Sequence, residues 1–283
     1  MAISMPLVSG IELDARLGDE QLLVCDCRFA GDAAASRERY ESGHIPGAVH
    51  VYWLDDLCAA DTTVTTFLPS EHEAATALGR LGTTDERFVV AYADCGSLYA
   101  ARLWHVLTHY GHDRVALLDG GIEKWESEGR RLERGSAEPN PAAFRARESD
   151  WQRGITASEI LDRLDDPNLQ LVDVRGPAEF SGEERRAARA GHLPGAVLWP
   201  WDANLQPDGT MRAAAEIRAR AQAAGLRPEH ELVTYCQGGV RAAHAALALR
   251  MAGYRRVRIY DGSWAEWGNN PGLPIEAAVA AAA

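Results

Sequence analysis

The apolar positions of this chain fall into short β-branched runs separated by longer stretches of small apolar and charged residues at helical spacing. LQLVDV (169–174), ELVTY (231–235) and VRIY (257–260) have the length and continuous apolarity of strands buried on both faces of a parallel sheet. MRAAAEIRARAQAAG (211–225) and VRAAHAALALRMA (240–252) read as helices, the second stopped by Gly253. Strand and helix alternate throughout, which predicts an α/β architecture: small parallel sheets with helices on both faces. In such folds ligands bind at the carboxyl ends of the strands, where loops turn into helices.

The same pattern occurs twice. LLVCDCRF (22–29) echoes LQLVDVRG (169–176), and SGHIPGAVHV (42–51) echoes AGHLPGAVLW (190–199). VVAYADCGSLYAARLWHVL (89–107) echoes LVTYCQGGVRAAHAALAL (232–249), and GHDRVALLDGGIEKWES (111–127) echoes GYRRVRIYDGSWAEWGN (253–269). Four blocks in one order at nearly one spacing mark a tandem duplication. The expected boundaries are a first domain over 1–135, a linker over 136–153 and a second domain over 154–283. The polar ERGSAEPNPAAFRARESD (133–150) serves as an ordered, irregular connector, and the closing AAVAAAA (277–283) as a frayed tail.

Composition narrows the function. The 283 residues are 46% hydrophobic and 25% charged, ordinary for a globular protein, with no apolar run approaching the roughly 20 residues that span a bilayer. MAISMPLVSG at the start has no basic stretch before a long apolar one, so a cytoplasmic location is the default expectation. A net charge of −12 argues against nucleic acid or an anionic membrane as partner, and requires that any anionic substrate meet local positive charge. The five cysteines include no CxxC pair and suggest reduced thiols rather than a disulfide framework or a metal site. His105 and His109 have HxxxH spacing, but Val106 stands where a zinc peptidase helix carries glutamate; they read as two histidines on a partly exposed helix.

The candidate chemistry lies in CQGGVR, Cys236 to Arg241, between a predicted strand and a predicted helix. A thiol at that position faces a helix N-terminus and a nearby cation, both of which favour the thiolate. Gly238 and Gly239 permit a tight loop whose N–H groups point inward, and Arg241 adds a planar guanidinium. Packing is the commoner fate of a lone cysteine, but a glycine-rich strand-to-helix loop closed by arginine favours a nucleophile.

These residues give the chain a family resemblance. YESGHIPGAVHV (40–51) and VRIYDGSWAEW (257–267) resemble the N- and C-terminal signatures of the tandem-domain rhodaneses, the thiosulfate and 3-mercaptopyruvate sulfurtransferases. A loop beginning C-Q and ending in arginine is most similar to the bacterial thiosulfate branch. The resemblance implies that Cys236 accepts a sulfane sulfur from a small anionic donor as a persulfide, and that cyanide or a thiol then removes it, with no cofactor or metal. It assigns the backbone of Gln237, Gly238, Gly239 and Val240, with Arg241, to the persulfide and the donor; Arg175, paired with Asp173, reads equally as structural or as substrate-orienting, and Trp201 as lining of the pocket entrance or as core. Two fused copies make a pseudo-dimer within one chain, which favours a monomer with the two domains packed together, the first expected to wall one side of the cleft.

Some positions depart from the family pattern. A donor-binding arginine commonly follows the D-x-R motif by four residues; after Asp173 and Arg175 that position holds Glu179, leaving Arg185, Arg186 and Arg189 in an apparent insertion as possible substitutes. Thiosulfate leads as donor because of Arg241, with 3-mercaptopyruvate the alternative. Cysteine phosphatase or arsenate reductase chemistry would need five residues between cysteine and arginine; four intervene here. A non-catalytic binding module fits the first domain better than the second, since alignment sets Ala93 or Asp94 opposite Cys236 and makes Cys95 a bystander. His44 and His192 stand in both copies and read as structural. Trp199 and Trp264, with Cys25 and Cys27, read as core.

Overall fold

The computed structural model describes residues 6–60, 64, 66–147 and 154–276, so the closing AAVAAAA lies outside the described residues. The chain forms two compact units, Met1–Arg153 with Leu205–Met211, and Gly154–Asn204 with Arg212–Ala283.

The first unit holds the strands β1 (Leu7–Val8), β2 (Leu22–Asp26), β3 (Val49–His50), β4 (Phe88–Tyr92) and β5 (Val115–Leu118). They form one parallel sheet in the order β1-β5-β4-β2-β3. The second unit holds β6 (Leu169–Asp173), β7 (Val197–Leu198), β8 (Glu231–Tyr235) and β9 (Val257–Ile259), parallel in the order β7-β6-β8-β9. Every residue of β4 and β8, the strands that lead into the two cysteine-bearing loops, is buried. Continuous apolar runs are what a strand covered on both faces requires. Each unit has its own core: Val24, Phe88, Tyr92 and Trp125 in the first, Leu171, Tyr235, Tyr260 and Trp267 in the second.

The duplication persists down to single hydrogen bonds. In the first unit Arg28 grips Asp26 and donates 2.7 Å to the Gly43 carbonyl; in the second Arg175 grips Asp173 and donates 2.7 Å to Gly191. His44 Nδ1 lies 2.9 Å from the Tyr40 carbonyl with its ring stacked on Tyr40, and His192 Nδ1 lies 2.8 Å from the Phe180 carbonyl, stacked on Phe180. Each histidine backbone pairs with a glutamate, Glu133 or Glu276, whose carboxylate accepts from Gly47 or Gly195. A histidine so held in both copies is a structural clamp for its G-H-x-P-G-A turn.

The predicted helices form as Ala214–Ala223 and Val240–Met251. Residues 211–213 stay outside the first because Met211 belongs to a hairpin: it bridges Leu205, and its N–H donates 2.7 Å to Asp119 in the first unit. The connector is irregular, yet it packs on the first unit rather than running free. Phe144 and Ala146 are buried, and Ala142 and Arg147 donate to Gly79 and Tyr110. The helix Ala100–His109 corrects an expectation: all ten residues are buried, His105 and His109 included, so it is a core helix and not a partly exposed one. Among the described residues no group of His, Cys, Asp and Glu side chains could hold a metal ion, and no helix is long and apolar enough to cross a membrane.

Candidate active site

The second unit places Cys236 directly after β8, 1% exposed, at the carboxyl edge of the sheet. The loop it opens is held from below by the turn after β9. Trp264 N–H donates 3.0 Å to the Cys236 carbonyl and Ala265 N–H 2.9 Å to the Gln237 carbonyl. Ser263 Oγ accepts the Cys236 N–H at 3.1 Å and itself donates 2.8 Å to the Tyr260 carbonyl. The carbonyls of the loop's first two residues are thus both bonded. Among the described residues, no N–H from Gln237 through Arg241 meets a protein acceptor. Gly239 takes φ 83° at the start of the helix Val240–Met251, a left-handed conformation that glycine adopts without strain. Such a run of N–H groups without a described acceptor, at the N-terminus of a twelve-residue helix, is the feature by which proteins bind anions.

The first unit lacks this assembly. There Ile122 N–H donates 3.0 Å to the Ala93 carbonyl, the bond that Trp264 makes to Cys236, so Ala93 is the counterpart of the cysteine. Asp94 is tied to Arg39 at 2.6 Å. Cys95 is exposed, and its thiol is pushed up by partial burial and by the charges of Asp94 and Glu123. Burial likewise raises the thiols of Cys25 and Cys27, each 1% exposed, with Asp26 adding to the effect. Three of the other four cysteines are thus disfavoured as nucleophiles.

Arg241 occupies the second position of the helix, and its fork is already filled. Its Nη1 and Nη2 lie 2.5 and 2.9 Å from the two carboxylate oxygens of Glu179, a side chain only 4% exposed. Burial alone would raise the Glu179 carboxyl, but the hydrogen bonds and charge of Arg241, with the Gly176 N–H, hold it below the usual glutamate range. Burial works against the Arg241 charge as well; Glu179, then a thiolate at Cys236, more than restore it. In the sequence Glu179 stands out only as the place of an absent arginine. That its carboxylate closes on the cation of the loop is visible in the structure alone.

The remaining expectations divide. Gln237, Gly238 and Val240 form the loop with Gly239, and the Gln237 side chain reaches across to donate 3.2 Å to the Arg186 carbonyl. Arg175 packs on the residue that holds the loop rather than on the loop's own side chains. It is 1% exposed and bonded to Asp173 and Gly191, with its guanidinium carbon 4.7 Å from the Trp264 ring centroid; its twin Arg28 makes the same polar contacts, without the tryptophan, in a unit that has no such cysteine. These contacts tie the ends of the strands together. Trp201 is half-buried in a short 3₁₀ turn, edge-on to His244 of the cysteine helix at 5.1 Å. Of the three substitute arginines, Arg189 is spent on the carbonyls of Trp267, Asn270 and Leu273, and Arg185 on those of Ala187 and Ala188. Arg186 stays by the loop: half exposed, it sits 2.5 Å from Glu184 and 3.7 Å from Glu179. Sequence reasoning misses Ser263 altogether. Its signal is the glycine at the matching place in the first copy, Gly121 at φ 63°, against Ser263 at φ 50°.

A family model for the rhodanese-like domain matches residues 10–128 and again 156–270. The chain is 37% identical over 279 residues to a probable 3-mercaptopyruvate sulfurtransferase of Pseudomonas aeruginosa, covering 96% of this chain and 98% of that one. It is 34% identical over 278 residues to a thiosulfate sulfurtransferase of Azotobacter vinelandii, again 96% and 98% of the two chains. Over 248 residues it is 36% identical to the sulfur carrier protein TtuD of Thermus thermophilus, covering 83% and 86%. Among solved structures, the anaerobic ergothioneine biosynthesis enzyme of Chlorobium limicola is similar with a TM-score of 0.83 at 25% identity, over 97% of this chain and 70% of that one.

Proposed function

We propose that this chain, which belongs to the rhodanese family over both of its units, transfers a sulfane sulfur from a small anionic donor to a thiophilic acceptor through a persulfide on Cys236. The observation that carries the reading is a cysteine seated at the mouth of a helix, in a loop whose N–H groups meet no acceptor among the described residues. With thiosulfate, the Cys236 thiolate attacks the outer sulfur, the S–S bond breaks, and sulfite leaves with the bonding pair. The terminal sulfur of the persulfide then carries the negative charge, which the ring of amides stabilises in place. Cyanide attacks that sulfur, thiocyanate departs, and the thiolate returns, so no oxidant or cofactor is consumed.

Thiosulfate is the donor suggested by the arginine that closes the loop. One observation favours the second donor, 3-mercaptopyruvate: Glu179 already fills the guanidinium fork that a dianion would use. Relatives named for each activity are similar to this chain at nearly the same identity. A phosphatase reading is disfavoured by the four-residue span between Cys236 and Arg241, which suits one sulfur atom better than a phosphate. The test is intact-mass analysis after exposure to either donor, beside thiocyanate formation from cyanide. Wild type should gain one sulfur atom and Cys236→Ser none; thiocyanate production by Cys236→Ser at the wild-type rate would overturn the assignment.

A further inference from the structure

The charges around Cys236 form a line within one unit. Arg186, 49% exposed at its outer end, lies 3.7 Å from Glu179, and Glu179 is clamped by both nitrogens of Arg241, which closes the loop that Cys236 opens. Glu179 cancels Arg241, and the half-exposed Glu184 pairs with Arg186 at 2.5 Å, so the line offers no net positive charge beside the thiolate. A loop with a free arginine would instead greet the donor with one positive charge. That difference acts in proportion to the donor's own charge.

We propose that Glu179 is a specificity-determining residue, which by occupying the Arg241 fork sets the site against doubly charged sulfur donors and toward singly charged ones. This deepens the sulfur-transfer reading and rests on it. Glu179 does not touch the reacting sulfur; it acts through the charge it removes from Arg241. The geometry makes the neutralisation durable, because a bidentate pair between a guanidinium and a buried carboxylate is not opened by a small ligand without stranding the carboxylate. Thiosulfate is a dianion and 3-mercaptopyruvate a monoanion, so the two donors differ by the one charge to which the site is tuned.

The experiment is the ratio of kcat/KM for thiosulfate to that for 3-mercaptopyruvate across a charge series. Glu179→Gln keeps the size and adds one positive charge, and should raise the ratio about tenfold or more, since even a well-screened unit charge near a protein surface acts on that scale. Glu179→Asp keeps the charge and should leave the ratio at its wild-type value even if both rates fall. Arg186→Gln removes a cation from a half-exposed side chain, and should lower the ratio. A merely structural carboxylate would move both donors together and make the Asp and Gln variants alike, and that result overturns the proposal. A binding measurement separates this outcome from failure of the reading itself. In a Cys236→Ser background, calorimetry with thiosulfate and with pyruvate reads anion affinity without turnover. Glu179→Gln should tighten thiosulfate more than pyruvate; equal changes, or no binding of either anion to either form, would count against the inference.

Discussion

Ser263 shows how much one side chain can be asked to do. Its hydroxyl accepts the Cys236 N–H, and its backbone sits at φ 50°, where a residue with a Cβ is strained by about 1–2 kcal/mol. Two substitutions separate these effects. Ser263→Ala keeps the strain and leaves a buried N–H without a partner, so unfolding free energy should fall by about 1–3 kcal/mol. Ser263→Gly loses the same hydroxyl but relieves the backbone, and should be more stable than the alanine variant. Denaturant titration orders the three proteins, and an alanine variant at least as stable as the glycine one would show that the backbone at this position stores no strain that glycine relieves. The glycine of the first copy is a clue to this that can be read in the sequence. No such clue exists for Glu179 and Arg241, since a pairing of side chains 62 positions apart depends on where two loops arrive in space.

At the scale of elements, sequence periodicity is a good guide wherever burial is continuous. The strands Leu169–Asp173 and Glu231–Tyr235 and the helix Val240–Met251 form where apolar runs and Gly253 place them. It is a poorer guide where an element is stabilised by non-local partners. Residues 211–213 have helical composition, yet the Met211 N–H is claimed by Asp119, and the helix begins only at Ala214. The HxxxH stretch misleads because its polar residues suggest a solvent-facing side, whereas the helix they occupy is buried all round. The junction of loop and helix at Gly239 is the element-level feature most open to test. Gly239→Ala forces a methyl-bearing residue to φ 83°, which should cost about 1–2 kcal/mol or unwind the first turn. Since the same turn presents the N–H groups to Cys236, sulfur loading should fall by more than the loss of folded protein explains. Comparing persulfide yield with melting temperature for Gly239→Ala checks this; loss of yield in strict proportion to unfolded fraction would mean the loop needs no such geometry.

At the scale of the whole chain, the question is how an anion reaches an acidic protein. The net charge of −12 repels thiosulfate and 3-mercaptopyruvate alike, and two arginines at the loop are each matched to carboxylates, Arg241 to Glu179 and Arg186 to Glu184. Little free positive charge is left near the loop to steer a donor from a distance. Long-range repulsion should therefore dominate the encounter, and salt should relieve it, because the screening length falls from about 30 Å to about 8 Å between 0.01 M and 0.15 M ionic strength. The expected outcome is a kcat/KM that rises with salt, about twice as steeply on a logarithmic scale for dianionic thiosulfate as for monoanionic 3-mercaptopyruvate. Stopped assays at several ionic strengths, with donor well below KM, measure both slopes. A rate that falls as salt is added would mean that a positive field at the mouth of the site outweighs the charge of the whole molecule. In that case Arg186, and not the amide ring alone, would be drawing the donor in.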